Sequence, residues 1–163
     1  MNPIIPGEAI GTARSNLFPQ DSLVCGVRRL LAVALGVSVN TLNTDQIVPL
    51  NLVLPTANWV ITDVYVNNAQ VNNGGTITNS MTTATLGVFT AASGGGTAIV
   101  SNAALSGLTA LTGAGGHLAM TVAGTTFLGT QSANPNIYVR TGTAQGASTS
   151  ATVDIYLVGF VFT

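Results

Sequence analysis

The sequence predicts an all-β protein, an antiparallel β-sandwich or jelly roll carrying an extended N-terminal arm. Three observations lead there. From Asp45 onward, short apolar segments rich in Thr, Val and Ile recur, each closed by Gly, Asn, Thr, Ser or Pro. The long stretches of Glu, Lys, Gln and Arg that build surface helices are missing, and the chain has no lysine. Its 163 residues are 47% hydrophobic, which fits one domain around one core.

Residues 1–22 read as the arm. Pro3, Pro6 and Pro19 prevent regular helix and sheet, and Gly7 and Gly11 loosen the chain further. Glu8, Arg14 and Asp21 hold three of its nine charged residues. Two readings stand: a frayed terminus, or an arm laid on a neighbouring subunit, with Arg14 and Phe18 as contacts. Residues 23–163 form the single sandwich domain. Its first stretch, Ser22 to Val39, is ambiguous. Asp21 or Ser22 fits a helix N-cap and Gly36 a helix end, whereas Val24, Val27, Val33, Val37 and Val39 favour strand. The balance favours a short helix or turn over 23–30, then strand.

Eight strand segments follow: 46–54, 59–67, 84–90, 97–100, 117–122, 126–129, 136–141 and 151–162. Gly94-Gly95-Gly96 marks a hairpin turn, and the Asn pairs at 67–68 and 72–73 with Gly74-Gly75 mark another. The last two segments suggest a hairpin around Gly146, with Ile137 opposite Ile155 and Val139 opposite Val153. Ile137, Val139, Val153, Ile155 and Leu157 then share one face. Tyr138, Arg140, Thr152, Asp154 and Tyr156 share the other, with Arg140 and Asp154 as diagonal neighbours. In the 59–66 strand, strict alternation puts Val60, Val64 and Val66 on one face and Trp59, Ile61 and Tyr65 on the other. Both faces are apolar enough to bury. Trp59, Ile61 and Tyr65 are therefore candidate interface residues, covered by a loop, the arm or a partner chain.

Composition narrows the chemistry. Charged residues make up 6% of the chain, against about 25% in a typical soluble domain, and the net charge is −1. Such a chain offers no basic field for nucleic acid or anionic lipid. The most apolar stretch, Leu23 to Val39, is broken by Gly26, Arg28, Arg29 and Gly36, so no membrane span is expected. Met1 to Ile10 lacks the basic start of a secretory signal. One Cys and one His cannot make an internal disulfide or a Cys/His zinc site. His117 lies beside a glycine turn without a nucleophile elbow and reads as a surface or edge residue. Cys25 reads as a small buried hydrophobe. Glu8, Asp21, Asp45, Asp63 and Asp154 are well separated, and the glycine run has no phosphate-binding lysine. No catalytic, cofactor-binding or metal-binding residue is expected, and no cofactor. A nearly uncharged surface stays apart from its neighbours poorly, which points to an assembly.

Residues Trp59–Ala69, Ala84–Val100, Ile137–Gly146 and Ala151–Gly159 resemble small structural proteins encoded among the head genes of tailed bacteriophages, the capsid decoration or cement proteins. The resemblance covers roughly residues 45–160 through β-, turn- and small-residue patterns and leaves the arm outside. It implies a non-enzymatic virion protein on the outer capsid surface, made in the host cytoplasm. Its implied partners are the major capsid protein and copies of itself, as a trimer. The contrasting expectation is a receptor- or glycan-binding module of a phage tail, neck or fibre, with Trp59, Tyr65, Tyr138 and Tyr156 as contacts.

Overall fold

A computed structural model describes residues 28–50, 52, 57–108, 117–123, 128–130 and 132–162. The arm, with Arg14 and Phe18, and Cys25 lie outside these residues. The described chain is an antiparallel all-β sandwich of ten strands: β1 (Arg29–Ser38), β2 (Asp45–Pro49), β3 (Asn58–Asn73), β4 (Thr76–Thr78), β5 (Thr85–Phe89), β6 (Ala98–Ala104), β7 (His117–Met120), β8 (Leu128–Thr130), β9 (Asn136–Thr143) and β10 (Ser150–Phe162). Of the short helix or turn expected over 23–30, residues 23–27 lie outside the described residues and Arg29-Leu30 are already strand; from Arg29 onward the segment is strand, as its β-branched residues favour.

The first sheet runs β1-β10-β3-β4, with β7 and β8 also paired to β3; the second runs β2-β9-β5-β6. Pairing is nested. The first strand pairs with the last (β1 with β10), the second with the next to last (β2 with β9), then β3 with β7 and β8, then β5 with β6. Successive pairs alternate between the sheets, so the chain folds back on itself as one long rolled ribbon.

The expected hairpin of the last two segments is not formed. β9 lies in the second sheet and β10 in the first, joined by a crossing at residues 144–149. Alternation reports which face of a strand is buried, not which strand lies beside it. The predicted inner set is nevertheless buried as a group: Ile137, Val139, Val153, Ile155 and Leu157 are all at most 1% exposed. These side chains meet across the core rather than along a ladder, as the inner faces of two packed sheets do. Arg140 and Asp154 consequently lie on different sheets. Arg140 instead bonds Asp45, its cross-strand neighbour on β2, at 2.9 Å.

The crossing between sheets is held by Gln145, a buried side chain. Its Oε1 accepts the backbone N–H groups of Thr82, Thr83 and Ala84 at 3.1–3.3 Å, and its Nε2 donates to Thr82 Oγ1 at 2.8 Å. One amide thus takes three backbone donors, of which the buried Ala84 N–H would cost about 1–3 kcal/mol unpaired. The turn after β5 is tied down by Asp45. Its carboxylate accepts the Ser93 N–H at 2.6 Å as well as the Arg140 guanidinium.

β3 departs from strict alternation. Opposite β10, the register slips between Val158 and Gly159, leaving Thr62 as an extra residue. The slip moves Trp59 and Ile61 onto the same inner face as Val64 and Val66, while Val60, itself buried, joins Asp63 and Tyr65 on the other face. Gly159 permits this close approach, because a Cβ there would run into the Val60 carbonyl. Trp59 is 0% and Ile61 2% exposed, both part of the core. This corrects their assignment to an interface: their cover is the chain's own core.

Candidate functional site

The outer face of the first sheet brings together two tyrosines, His117 and the carboxylates Asp63 and Asp154. Four strands bring them together. Register places Val33 of β1, Tyr156 of β10, Tyr65 of β3 and Ala119 of β7 in one row across the sheet. The next row is Asp154, Asn67 and His117. On the other side of the tyrosines lies the row Leu30, Val158 and Asp63.

Tyr65 is the hub of this face. It is half-buried, and its ring meets the His117 ring edge-on, with centroids 6.4 Å apart and planes at 63°. Arg28, just before β1, donates to the Tyr65 hydroxyl at 3.0 Å and pairs with Asp63 at 2.6 Å. The Tyr65 hydroxyl in turn donates to Asp63 Oδ1 at 3.5 Å, and Thr62 Oγ1 donates to Asp63 Oδ2 at 2.6 Å. The Tyr65 hydrogen bond, and then the Asp63 carboxylate, raise the Arg28 pKa despite some desolvation, so this guanidinium stays charged at every accessible pH. Its pairing is solvent-exposed and contributes little to stability. What it does is fix the Tyr65 ring and leave the face nearly neutral.

Asp154 anchors the middle of the sheet. Both neighbouring strands bulge beside it: β1 at Leu35-Gly36, directly opposite Asp154, and β3 at Asn68-Ala69, opposite the adjacent Val153. Gly36 and Asn68 adopt left-handed backbone, with φ of +63° and +50°. The bulges turn two donors onto one carboxylate, the Gly36 N–H onto Oδ1 at 2.7 Å and Asn68 Nδ2 onto Oδ2 at 2.8 Å. A carboxylate that is 9% exposed is thereby doubly hydrogen-bonded, as a buried charge requires.

Of the interface candidates among the described residues, only Tyr65 lies on this face; Trp59 and Ile61 are core, and Arg14 and Phe18 lie outside the described residues. Tyr138 sits in β9, in the other sheet, so the four aromatics proposed as glycan contacts do not converge. Only Tyr65 and Tyr156 are brought side by side. His117 is exposed at the start of β7, matching its reading as a surface residue. Arg28, Asp63, Asn67, His117 and Asp154 are not among the sequence's contact candidates, and Tyr156 is one only for the glycan-binding alternative. Alternation in the last strand already placed Asp154 and Tyr156 together; the missing signal was the β3–β10 register, which no local pattern contains.

Among the described residues, no three His, Cys, Asp or Glu side chains cluster as a metal site, and no helix is long and apolar enough to cross a membrane. No protein-family model matches the chain, and no curated protein matches its sequence.

Proposed function

We propose that this chain is a non-enzymatic virion structural protein, a capsid decoration or cement protein. It binds the outside of a phage head and bridges subunits of the major capsid protein, stabilising the shell against packed genome. The nested strand pairing carries this reading. First-with-last pairing, alternating between two sheets, is the order expected of a jelly roll, an architecture used by viral capsid and lectin domains. The electrostatics agree with it. Of the six charged residues among those described, Arg28, Asp63, Arg140 and Asp45 neutralise one another in two ion pairs. Such a surface engages a partner by shape and apolar contact, and its binding is insensitive to salt.

In this reading the tyrosine face of the first sheet contacts the shell and the arm reaches an adjacent subunit. The test is add-back to purified expanded heads lacking the protein. Wild type binds, with occupancy changing little between low and high salt, and Tyr65→Asp/Tyr156→Asp binds far less while keeping its fold. Undiminished binding by the double variant overturns the tyrosine face as the contact.

A second reading rests on the same pair of rings. Tyr65 and Tyr156, flanked by Arg28, Asp63, Asn67 and His117, also form a platform on which a sugar ring can stack beside hydrogen-bonding groups. A binding module of a tail or neck would use it so. Glycan-array binding lost in Tyr65→Ala would favour this reading over cement.

A further inference from the structure

Asn73-Gly74 is the one asparagine–glycine step in the sequence, and the fold puts it at an exposed hairpin tip. Asn73 pairs with Thr76, and Gly74-Gly75 turn the corner between β3 and β4 with φ of +60° and +94°, the left-handed pair that a two-residue turn of this kind requires. Little holds this end of β3. β10 follows it only as far as Asn72, opposite Ser150. β4 is three residues long, all exposed, and among the described residues it pairs with β3 alone. So short a ribbon opens locally at small cost.

The asparagines nearby differ in how they are held. Asn72 Oδ1 accepts the Gly75 N–H at 2.9 Å, and the Asn72 carbonyl accepts the Thr149 N–H at 2.8 Å. Asn68 Nδ2 donates to Asp154 and Asn79 Nδ2 to the Ala69 carbonyl, each at 2.8 Å. The exposed Asn73 side chain has no hydrogen-bond partner among the described residues. A Cβ added at Gly74 would meet nothing within 4 Å, so the space beside its backbone is open.

We propose that Asn73 is a site of spontaneous covalent modification, a deamidation that converts it to aspartate and isoaspartate. When the tip opens, the Gly74 backbone nitrogen attacks Asn73 Cγ. A new N–C bond forms as the bond from Cγ to Nδ2 breaks, and the Gly74 amide proton leaves with the amino group as ammonia. Water then opens the five-membered imide. Addition at the side-chain carbonyl gives aspartate; addition at the backbone carbonyl gives isoaspartate, whose main chain runs through the side-chain carbon. Water is the only co-reactant. Glycine matters at position 74 because any side chain there would crowd the attacking nitrogen. Either product adds one carboxylate and takes the net charge from −1 to −2. In isoaspartate the extra backbone methylene also breaks the Asn73–Thr76 pair, and with it the register of β4. Tyr65 lies eight residues back along β3, about 25 Å away, so the inference is independent of the tyrosine face and of the proposed function.

The test incubates the full chain in warm, mildly alkaline buffer, follows its charge by ion-exchange chromatography and locates the change by peptide mass spectrometry. An acidic form is expected to accumulate with release of ammonia. The peptide containing Asn73 should gain one dalton before any other asparagine peptide, as two separable products, one of them a substrate for an isoaspartyl methyltransferase. Asn73→Gln, whose longer side chain cannot close the same ring, is expected to keep the circular dichroism spectrum and lose the acidic form. In the folded chain Asn73 should react within about tenfold of its rate in the urea-unfolded chain, because an opening of small free energy protects little. Stronger protection than that, an earlier reaction at another asparagine, or an acidic form that persists in Asn73→Gln each overturns the proposal. If Asn73→Gln fails to fold, the folded-to-unfolded rate ratio of the wild-type chain still decides.

Discussion

Asp154→Ala perturbs the centre of the first sheet without touching the core face. The substitution removes an acceptor from two donors, the Gly36 N–H at 2.7 Å and Asn68 Nδ2 at 2.8 Å. A hydrogen bond to a charged group is worth about 1.5–3 kcal/mol net, and an orphaned donor that water cannot reach costs a similar amount. Gly36 and Asn68 are both exposed residues and both bonds are only part-buried, so water can take over part of what is lost. The expected loss is therefore about 1–3 kcal/mol. Asp154→Asn keeps one acceptor and should lose about half as much. For a chain of this size, about 2–4 °C of melting temperature accompanies each kcal/mol, so Asp154→Ala should melt about 2–12 °C lower. Urea unfolding followed by the fluorescence of Trp59, the only tryptophan and fully buried, measures the change directly. The midpoint should fall at an unchanged slope. A loss below about 0.5 kcal/mol would refute the idea that the two bulges are organised around this carboxylate.

Three further outcomes are expected. Gly159→Ala places a Cβ against the Val60 carbonyl at the Thr62 bulge and should cost about 1–3 kcal/mol, also read by urea unfolding; a neutral result would mean that β3 and β10 do not approach as described. Burial alone would raise the Asp45 pKa, but the Ser93 N–H and Arg140 outweigh it and hold the carboxyl below its ordinary value. Its contribution is then complete above the unfolded pKa of about 3.9 and lost as pH falls through the lower folded value. Asp45→Asn should be less stable than the parent at pH 7, and the difference should shrink in acid; a pH-independent difference would contradict the assignment. Deleting residues 1–20 should leave the circular dichroism spectrum and melting of the sandwich intact while abolishing binding to heads. Undiminished occupancy by the truncated chain would remove the arm from the mechanism.

Most strand positions were legible because most strands have a buried face and end in turn-forming residues. Every segment expected from 46 to 162 overlaps a strand, and the turns at Gly74-Gly75 and Gly94-Gly96 lie where glycine runs placed them, but Asn67-Asn68, expected in a turn, lie within β3, which continues through a bulge there to Asn73. Partners were not legible. Ile137 and Ile155 point into the same core from opposite sheets, which alternation cannot distinguish from neighbours in one sheet. Nor was the bulge at Thr62, since nothing local announces that Gly159, nearly one hundred residues on, yields the space for it. That single extra residue exchanges the faces of Trp59 and Ile61 with that of Val60. The candidate face was half legible for the same reason: Tyr65 was singled out and Asp154 with Tyr156 grouped, but their meeting depends on the long-range β3–β10 register.

The most direct measurement is copy number. Virions encoded alongside this gene would be purified and the chain quantified against the major capsid protein by mass spectrometry. A cement protein that bridges capsid subunits over the whole shell should be present in copies on the order of hundreds, in fixed proportion to the capsid protein. A count limited to a single vertex, neck or tail, or absence from the particle, would contradict the account.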